Sequence, residues 1–180
     1  MVYNLSFWDS ILGDKVLFFQ PDSAMCQRSP FFIEMFLAFD FIGAPLPWIY
    51  TPVTGATRKV TPTDNNFHAV NGGFSLRSKQ SMIKCVQAVL KGNLTFPSFK
   101  GDQEDMFFSR CLQHYLKHQK LPTRRVASAF AVESIIDNEQ PLGIHKAWKH
   151  LKNEDWVKLV SNCPEAEAAR AISRPMPGYP

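Results

Sequence analysis

The feature that most constrains this chain is a short apolar run with an abrupt stop. Residues Lys15 to Gln20 read K-V-L-F-F-Q and are closed by Pro21. An apolar stretch of that length, bounded by a proline, predicts a buried strand in a parallel or mixed sheet. Elsewhere the apolar residues recur at helical spacing. Met82, Cys85, Val86 and Val89 share one face of a helix that Ser78 would cap and Gly92 would stop. Phe107, Phe108, Cys111, Leu112 and Tyr115 define a second helix after Asp102. Ser29-Pro30 reads as an N-cap followed by proline at the first helical position, with Phe32, Met35, Phe36 and Phe39 behind it. Val126 to Val132 is apolar and small, which predicts another strand.

Strands separated by helices predict an α/β fold, a mixed sheet flanked by helices. The long loops argue against a regular doubly wound sheet. The segment 45–66, with Pro45, Pro47, Pro52, Gly55 and Pro62, is the longest of them, and loops of that length are often functional. Asn71-Gly72-Gly73 marks a place where the backbone needs positive φ or a close approach. The expected division is a main domain over 1–152 and a helical tail over 153–180. The tail carries a helix around Trp156, Leu159 and Val160, then an Ala/Glu-rich one from Glu165 to Ile172, then a Pro-rich end.

Composition serves mainly to exclude. With 45% apolar and 20% charged residues in a chain of 180, wholesale disorder is ruled out. No apolar run reaches the ~18 residues of a membrane-spanning helix. The start shows no basic stretch followed by an apolar core, so no signal peptide is expected. The chain by itself therefore reads as cytoplasmic, with the secretory pathway open if an N-terminal anchor precedes it. Two sequons, Asn4-Leu5-Ser6 and Asn93-Leu94-Thr95, matter only in that second case. Net charge is +4, concentrated in the later part of the chain. That excess either helps hold a phosphate-bearing ligand or is a solvated surface. No basic stripe with interleaved aromatics is present, so no nucleic-acid partner is expected. Cys26, Cys85, Cys111 and Cys163 form no C-x-x-C pair, which excludes a common zinc pattern. Cys85 and Cys111 lie on apolar helix faces and read as small buried hydrophobes.

Several polar residues admit both a structural and a chemical reading. Asp22 follows the predicted strand directly. It is either a turn residue or a carboxylate at a strand's carboxyl end, able to reach a ligand or a hard cation. Glu104 and Asp105 fall in the first turn of a helix, where they either complement the dipole or supply a general base. His145, beside Gly143 and Trp148, is either a structural histidine or a metal or phosphate ligand. His114 and His118 are four apart on a helix, but with no third ligand nearby they read as exposed. Trp48 and Trp148 flank prolines or glycines, where a ring is either core packing or a platform for a sugar face.

Read in order, several segments resemble one family. They are F-F-Q-P-D-S-A-M-C at Phe18–Cys26, D-F-I-G-A-P at Asp40–Pro45 and N-G-G-F-S-L-R-S-K at Asn71–Lys79. E-D-M-F-F at Glu104–Phe108, F-A-V-E at Phe130–Glu133 and P-L-G-I-H-K-A-W at Pro141–Trp148 complete the set. The family is a group of glycosyltransferase-like domains labelled a domain of unknown function, similar in pattern to GT-A type enzymes. The resemblance covers roughly 10–150. It implies sugar transfer from a nucleotide-diphospho-sugar, a UDP-sugar above all, to a glycan or other hydroxyl acceptor. It implies Asp22 and His145 as ligands of a divalent cation, Mn²⁺ or Mg²⁺. It implies Asn71, Gly72 and Gly73 in the substrate pocket and Glu104 or Asp105 as the base. The block at Asp22 reads Asp22-Ser23-Ala24, so the second acid of an Asp-x-Asp motif is absent. Only about 15 residues precede the Asp22 strand, too few for a right-handed crossover unit. The chain is thus expected to lack the N-terminal nucleotide-binding unit of a complete GT-A domain. The alternative is a non-catalytic carbohydrate-binding or interaction module, with Trp48, Tyr50 and Trp148 holding a glycan.

Overall fold

The computed structural model describes residues 2–50, 57–59, 66, 69–92, 103–116 and 119–173. In chain order the elements begin with α1 (Leu5–Asp9), β1 (Lys15–Phe19) and β2 (Ser23–Met25). β3 (Phe41–Pro45), β4 (Trp48–Tyr50), β5 (Thr57–Lys59) and β6 (Val70–Ser78) follow. Then come α2 (Lys79–Leu90), α3 (Glu104–His114), α4 (Arg124–Phe130), β7 (Ala131–Val132) and β8 (Gly143–His145). The last two are α5 (Asn153–Asn162) and α6 (Glu165–Ile172). The architecture is mixed α/β, with small sheets flanked by helices.

One sheet has the order β1-β6-β3 and is antiparallel throughout. The expected parallel or mixed setting of Lys15–Gln20 is thereby corrected. β1 is an edge strand, half-buried, with Phe18 turned to the core and Leu17 and Phe19 exposed. A second sheet, β2-β8-β7, is mixed: β2 pairs with β8 antiparallel and β7 with β8 parallel. β4 and β5 pair antiparallel as a separate two-stranded sheet inside the long predicted loop, most of which lies outside the described residues.

Aromatic rings fill the first core. Trp8, Phe41, Phe74, Phe107, Phe108 and Phe130 are buried where α1 to α4 meet the antiparallel sheet. Each such ring contributes about 1.5–3 kcal/mol over its exposed state. A second cluster joins Ala24, Val132 and Ile144 to Trp156, Leu159 and Ala166, so α5 and α6 pack on the mixed sheet.

The structure corrects three local expectations and decides between the two readings of the glycine pair, for close approach and against positive φ. Residues 124–130 are helical, and only Ala131–Val132 is strand. Thr123 caps that helix by accepting from the Val126 N–H, and the small side chains of V-A-S-A allow close approach to β3. Behind Ser29-Pro30 there is only a single 3-10 turn, Ile33–Phe36. Asn71-Gly72-Gly73 lies within strand β6, and neither glycine has positive φ. Gly92, by contrast, has φ of 68° and ends α2 in the left-handed conformation that glycine favours. Finally, all four cysteines are bonded, Cys26 to Cys163 and Cys85 to Cys111. The apolar faces of α2 and α3 that hold Cys85 and Cys111 are the surfaces that bring the two sulfurs together.

Candidate functional site

Two irregularities place polar groups at the seam between the sheets. The first is a bulge. β3 advances from Gly43 to Pro45 while its partner β6 runs back from Ser75 to Val70. Four β6 residues, Asn71 to Phe74, thus stand opposite Ala44 alone on the β3 side, at the sheet's end, a position where bulges often re-aim side chains. The second is the turn that carries the chain from β1 into β2. Ser23 N–H donates to Gln20 O across Pro21-Asp22. Asp22 is thus a turn residue, as one of its two sequence readings has it, and it also touches His145 at the seam.

From the mixed sheet, β7 and β8 deliver Glu133 and His145 side by side at the carboxyl end of their parallel pair. Crevices of α/β folds form at such ends. His145 is only 1% exposed. Its Nε2 is 3.0 Å from Gln20 Oε1 and 3.1 Å from Asp22 Oδ1. Its Nδ1 lies 3.2 Å from Glu133 Oε1 but outside hydrogen-bonding angles, and so has no hydrogen-bond partner.

From the aromatic core, α3 presents Glu104 and Asp105. Asp105 is buried and accepts from the Met106 N–H at 2.7 Å and the Gly72 N–H at 3.2 Å. Burial holds its pKa above the usual carboxylate value, and the Glu104 charge pushes the same way. Glu104 is gripped by Arg77, Oε1 to Nη2 at 2.7 Å. Arg77 is fully buried, with its guanidinium 4.1 Å from the Phe18 ring centre and 4.9 Å from that of Phe41.

Asn71 spans the seam. Its Oδ1 accepts from the Gly73 N–H at 2.7 Å, which fixes the amide's orientation. Nδ2 then donates to Glu133 Oε1 at 3.1 Å and to Asp105 Oδ2 at 3.5 Å. The two glycines are explained by their neighbours. A Cβ on Gly72 would strike Glu104 and Arg77, and one on Gly73 would strike the His145 ring.

These groups line a cleft with two lobes. The first, about 280 Å³, is bordered by Gln20, Gly72, Gly73, Glu104, Asp105 and His145. The second, about 370 Å³, opens between Leu46, Pro47, Met106, Glu133, Ser134 and His150. Asn71, Gln103 and Lys146 border both. Lys146 has φ of 34°, the one non-glycine positive φ among the described residues. Its N–H donates to Asp22 O at 2.8 Å, which holds the left-handed backbone in place at the cleft.

Of the residues singled out from sequence, Asp22, Asn71, Gly72, Gly73, Glu104, Asp105 and His145 are therefore brought together. Trp148 is elsewhere: half-buried, it packs edge-on against Trp156 at 6.1 Å in the second cluster. Trp48 lies in β4, and its side chain, like His118, is outside the described residues. His114 is exposed at the end of α3. Gln20, Arg77, Glu133 and Lys146 were missed. Arg77 and Glu133 carried a readable signal, each a lone charge in or just after an apolar run.

The chain's affiliation rests on sequence, and the match takes in every one of these residues except Lys146 and those after it. The chain belongs to the family of proteins of unknown function DUF5672, which it matches over residues 1–145. The family match ends on His145, at the cleft, so α5 and α6 lie beyond it. No curated protein and no solved structure matches the chain. No helix among the described residues is long and apolar enough to cross a membrane.

Proposed function

We propose that this chain is a GT-A-like glycosyltransferase domain that moves a sugar from a nucleotide-diphospho-sugar to a hydroxyl acceptor. One observation carries the reading. Asn71, Asp105 and His145, supplied by three separate segments, line a single polar cleft, and Asp22 stands behind it, 3.1 Å from His145 Nε2. Asp105 is the base. Its raised pKa makes it a better proton acceptor when ionised than an exposed carboxylate, and the backbone N–H of Gly72 keeps it aimed. As the acceptor oxygen attacks the sugar's anomeric carbon, its proton passes to Asp105 and the nucleoside diphosphate departs. Without side chains of their own, Gly72 and Gly73 let Glu104, Arg77 and the His145 ring close in on the strand. Glu104, pinned by Arg77, keeps a second negative charge beside the base.

Among the described residues no three His, Cys, Asp or Glu side chains are arranged to hold a metal ion. The donors that would hold one are His145 Nε2 with Asp22 Oδ1 at 3.1 Å and the amide oxygen of Gln20 at 3.0 Å from it. A divalent cation such as Mn²⁺ or Mg²⁺ held there would neutralise the departing diphosphate.

The test is turnover of UDP-sugars, read as UDP release, with and without Mn²⁺. Asp105→Asn is expected to lower turnover at least about 100-fold while the fold is retained. Full activity in both Asp105→Asn and Glu104→Gln would remove the base assignment. Glycan binding without turnover, indifferent to EDTA, would replace the reading with a non-catalytic carbohydrate-binding module.

A further inference from the structure

We propose that the second lobe of the cleft is a binding subsite for a neutral polyhydroxyl ligand, a sugar ring, and that it seats the acceptor. The seating of the acceptor rests on the transfer reading above; the binding of a neutral polyol does not.

Charge decides the ligand class. The carboxylate in this lobe, Glu133, is answered from within. Lys146 Nζ lies 3.9 Å and His150 Nε2 3.8 Å from its Oε1, and the Asn71 amide donates to the same oxygen. Among the described residues no surplus of positive charge is left for a phosphate, which would also have to sit against Glu133. Among the same residues no surplus of negative charge is left for a cation. The first lobe differs, since Glu104 and Asp105 line it and Asp22 stands just behind His145.

Shape and chemistry fit a sugar. Leu46, Pro47 and Met106 give the lobe an apolar wall on which ring C–H groups can rest. Glu133, Lys146 and His150 give it a polar rim. Ser134 Oγ is buried at this lobe with no hydrogen-bond partner among the described residues. A buried hydroxyl is seldom left unpaired, and a ligand hydroxyl would complete it. At about 370 Å³ the lobe falls within the usual range of small-molecule sites. Asn71 forms the wall between the lobes and touches Asp105, so a ring seated in the second lobe has a hydroxyl within reach of the base. In that pose the hydroxyl gives its proton to Asp105 as its oxygen bonds to the donor's anomeric carbon.

The probes are the methyl glycosides of glucose, galactose and mannose, and N-acetylglucosamine. Saturation-transfer NMR and calorimetry read their binding without any nucleotide. At least one is expected to bind wild-type protein. Ser134→Ala, which removes one hydrogen bond, should weaken it about fivefold. Leu46→Trp, which fills the lobe, should abolish it. Should Leu46→Trp fail to fold, Ser134→Ala together with Met106→Phe gives the same comparison. The proposal is overturned if no glycoside binds, if binding is indifferent to these variants, or if inorganic pyrophosphate displaces the glycoside from the lobe. Lobe-dependent binding with no nucleotide-sugar turnover keeps the subsite and removes the transfer reading. Turnover with glycoside binding indifferent to the variants does the reverse.

Discussion

Gly73→Ala places a single methyl group where the structure has no room for it. The new Cβ would overlap His145 Nε2, Cδ2 and Cε1 at separations that real side chains do not reach. Neither party can yield easily. The Gly73 carbonyl accepts from Gln20 N–H at 2.9 Å and from Ser23 Oγ at 3.1 Å, and its N–H donates to Asn71. The imidazole is buried, its strand is in register with Ser23, and its Nε2 lies against Gln20 and Asp22. Backbone preference contributes nothing, because φ at Gly73 is not positive. The penalty is therefore steric, about 1–3 kcal/mol for overpacking. Displacing the ring from Gln20 adds about 1 kcal/mol for the lost hydrogen bond. The expected loss is about 2–4 kcal/mol, a large share of the ~5–15 kcal/mol that holds an ordinary domain together.

Urea denaturation of four proteins tests this: wild-type, Gly73→Ala, His145→Ala and the double variant. With the ring gone, the methyl group has space, so Gly73→Ala should cost much less in the His145→Ala background. A coupling energy of about 1–3 kcal/mol is expected between the two sites. Simple additivity within about 0.5 kcal/mol would refute the reasoning, because it would mean the methyl group and the ring never compete for space.

Three further outcomes are expected. The raised pKa of Asp105, from burial and then from Glu104, means the folded protein binds that proton more tightly than the unfolded chain does. Its contribution to stability is present below the ordinary carboxyl value and is lost as pH rises through the raised one. Asp105→Asn should therefore gain in Tm relative to wild-type between pH 4 and pH 7, and a pH-independent difference would refute this. Reduction of Cys26–Cys163, which are 137 residues apart, should cost about 5 kcal/mol, and that of Cys85–Cys111, 26 apart, about 3.5 kcal/mol. Paired Cys→Ser variants followed by urea denaturation measure both, and native protein without reductant should titrate no free thiol. Gly92→Ala should cost about 1 kcal/mol, since alanine must adopt a φ of 68° with nothing nearby to reward it; thermal unfolding reads the loss.

What the sequence made legible follows from what each signal depends on. α2, α3, α5 and α6 announce themselves by helical spacing and by stops such as Gly92, all local properties. The strand at Lys15 was readable, but its antiparallel pairing was not, because pairing is set by β6, some fifty residues on. V-A-S-A-F-A-V misled because small apolar residues suit either element, and the deciding signal was the Thr123 cap outside the run. The glycine pair was recognised as a close-approach site, but what approaches it, the His145 ring and the Glu104–Arg77 pair, comes from distant strands and helices. The disulfides were illegible for the same reason: no short spacing links Cys26 to Cys163.

The candidate site exists because two separately packed cores meet at it. Asp105, Glu104 and Arg77 belong to the aromatic core, whereas Glu133 and His145 stand on the sheet that α5 and α6 cover. At the seam, Ser23 Oγ donates to the Gly73 carbonyl and Asn71 to Glu133. Each ends on the Asn71–Gly73 bulge or starts from it. The bulge is thus the hinge point that sets how far the acid of one core lies from the imidazole of the other. Cys26–Cys163 then acts on the site from a distance. It ties β2's end to α5's, keeping together the sheet from which His145 projects. A change in the bulge should therefore disturb the site before it disturbs either core, whereas loss of this disulfide should loosen the His145 side first and leave Asp105 on its helix.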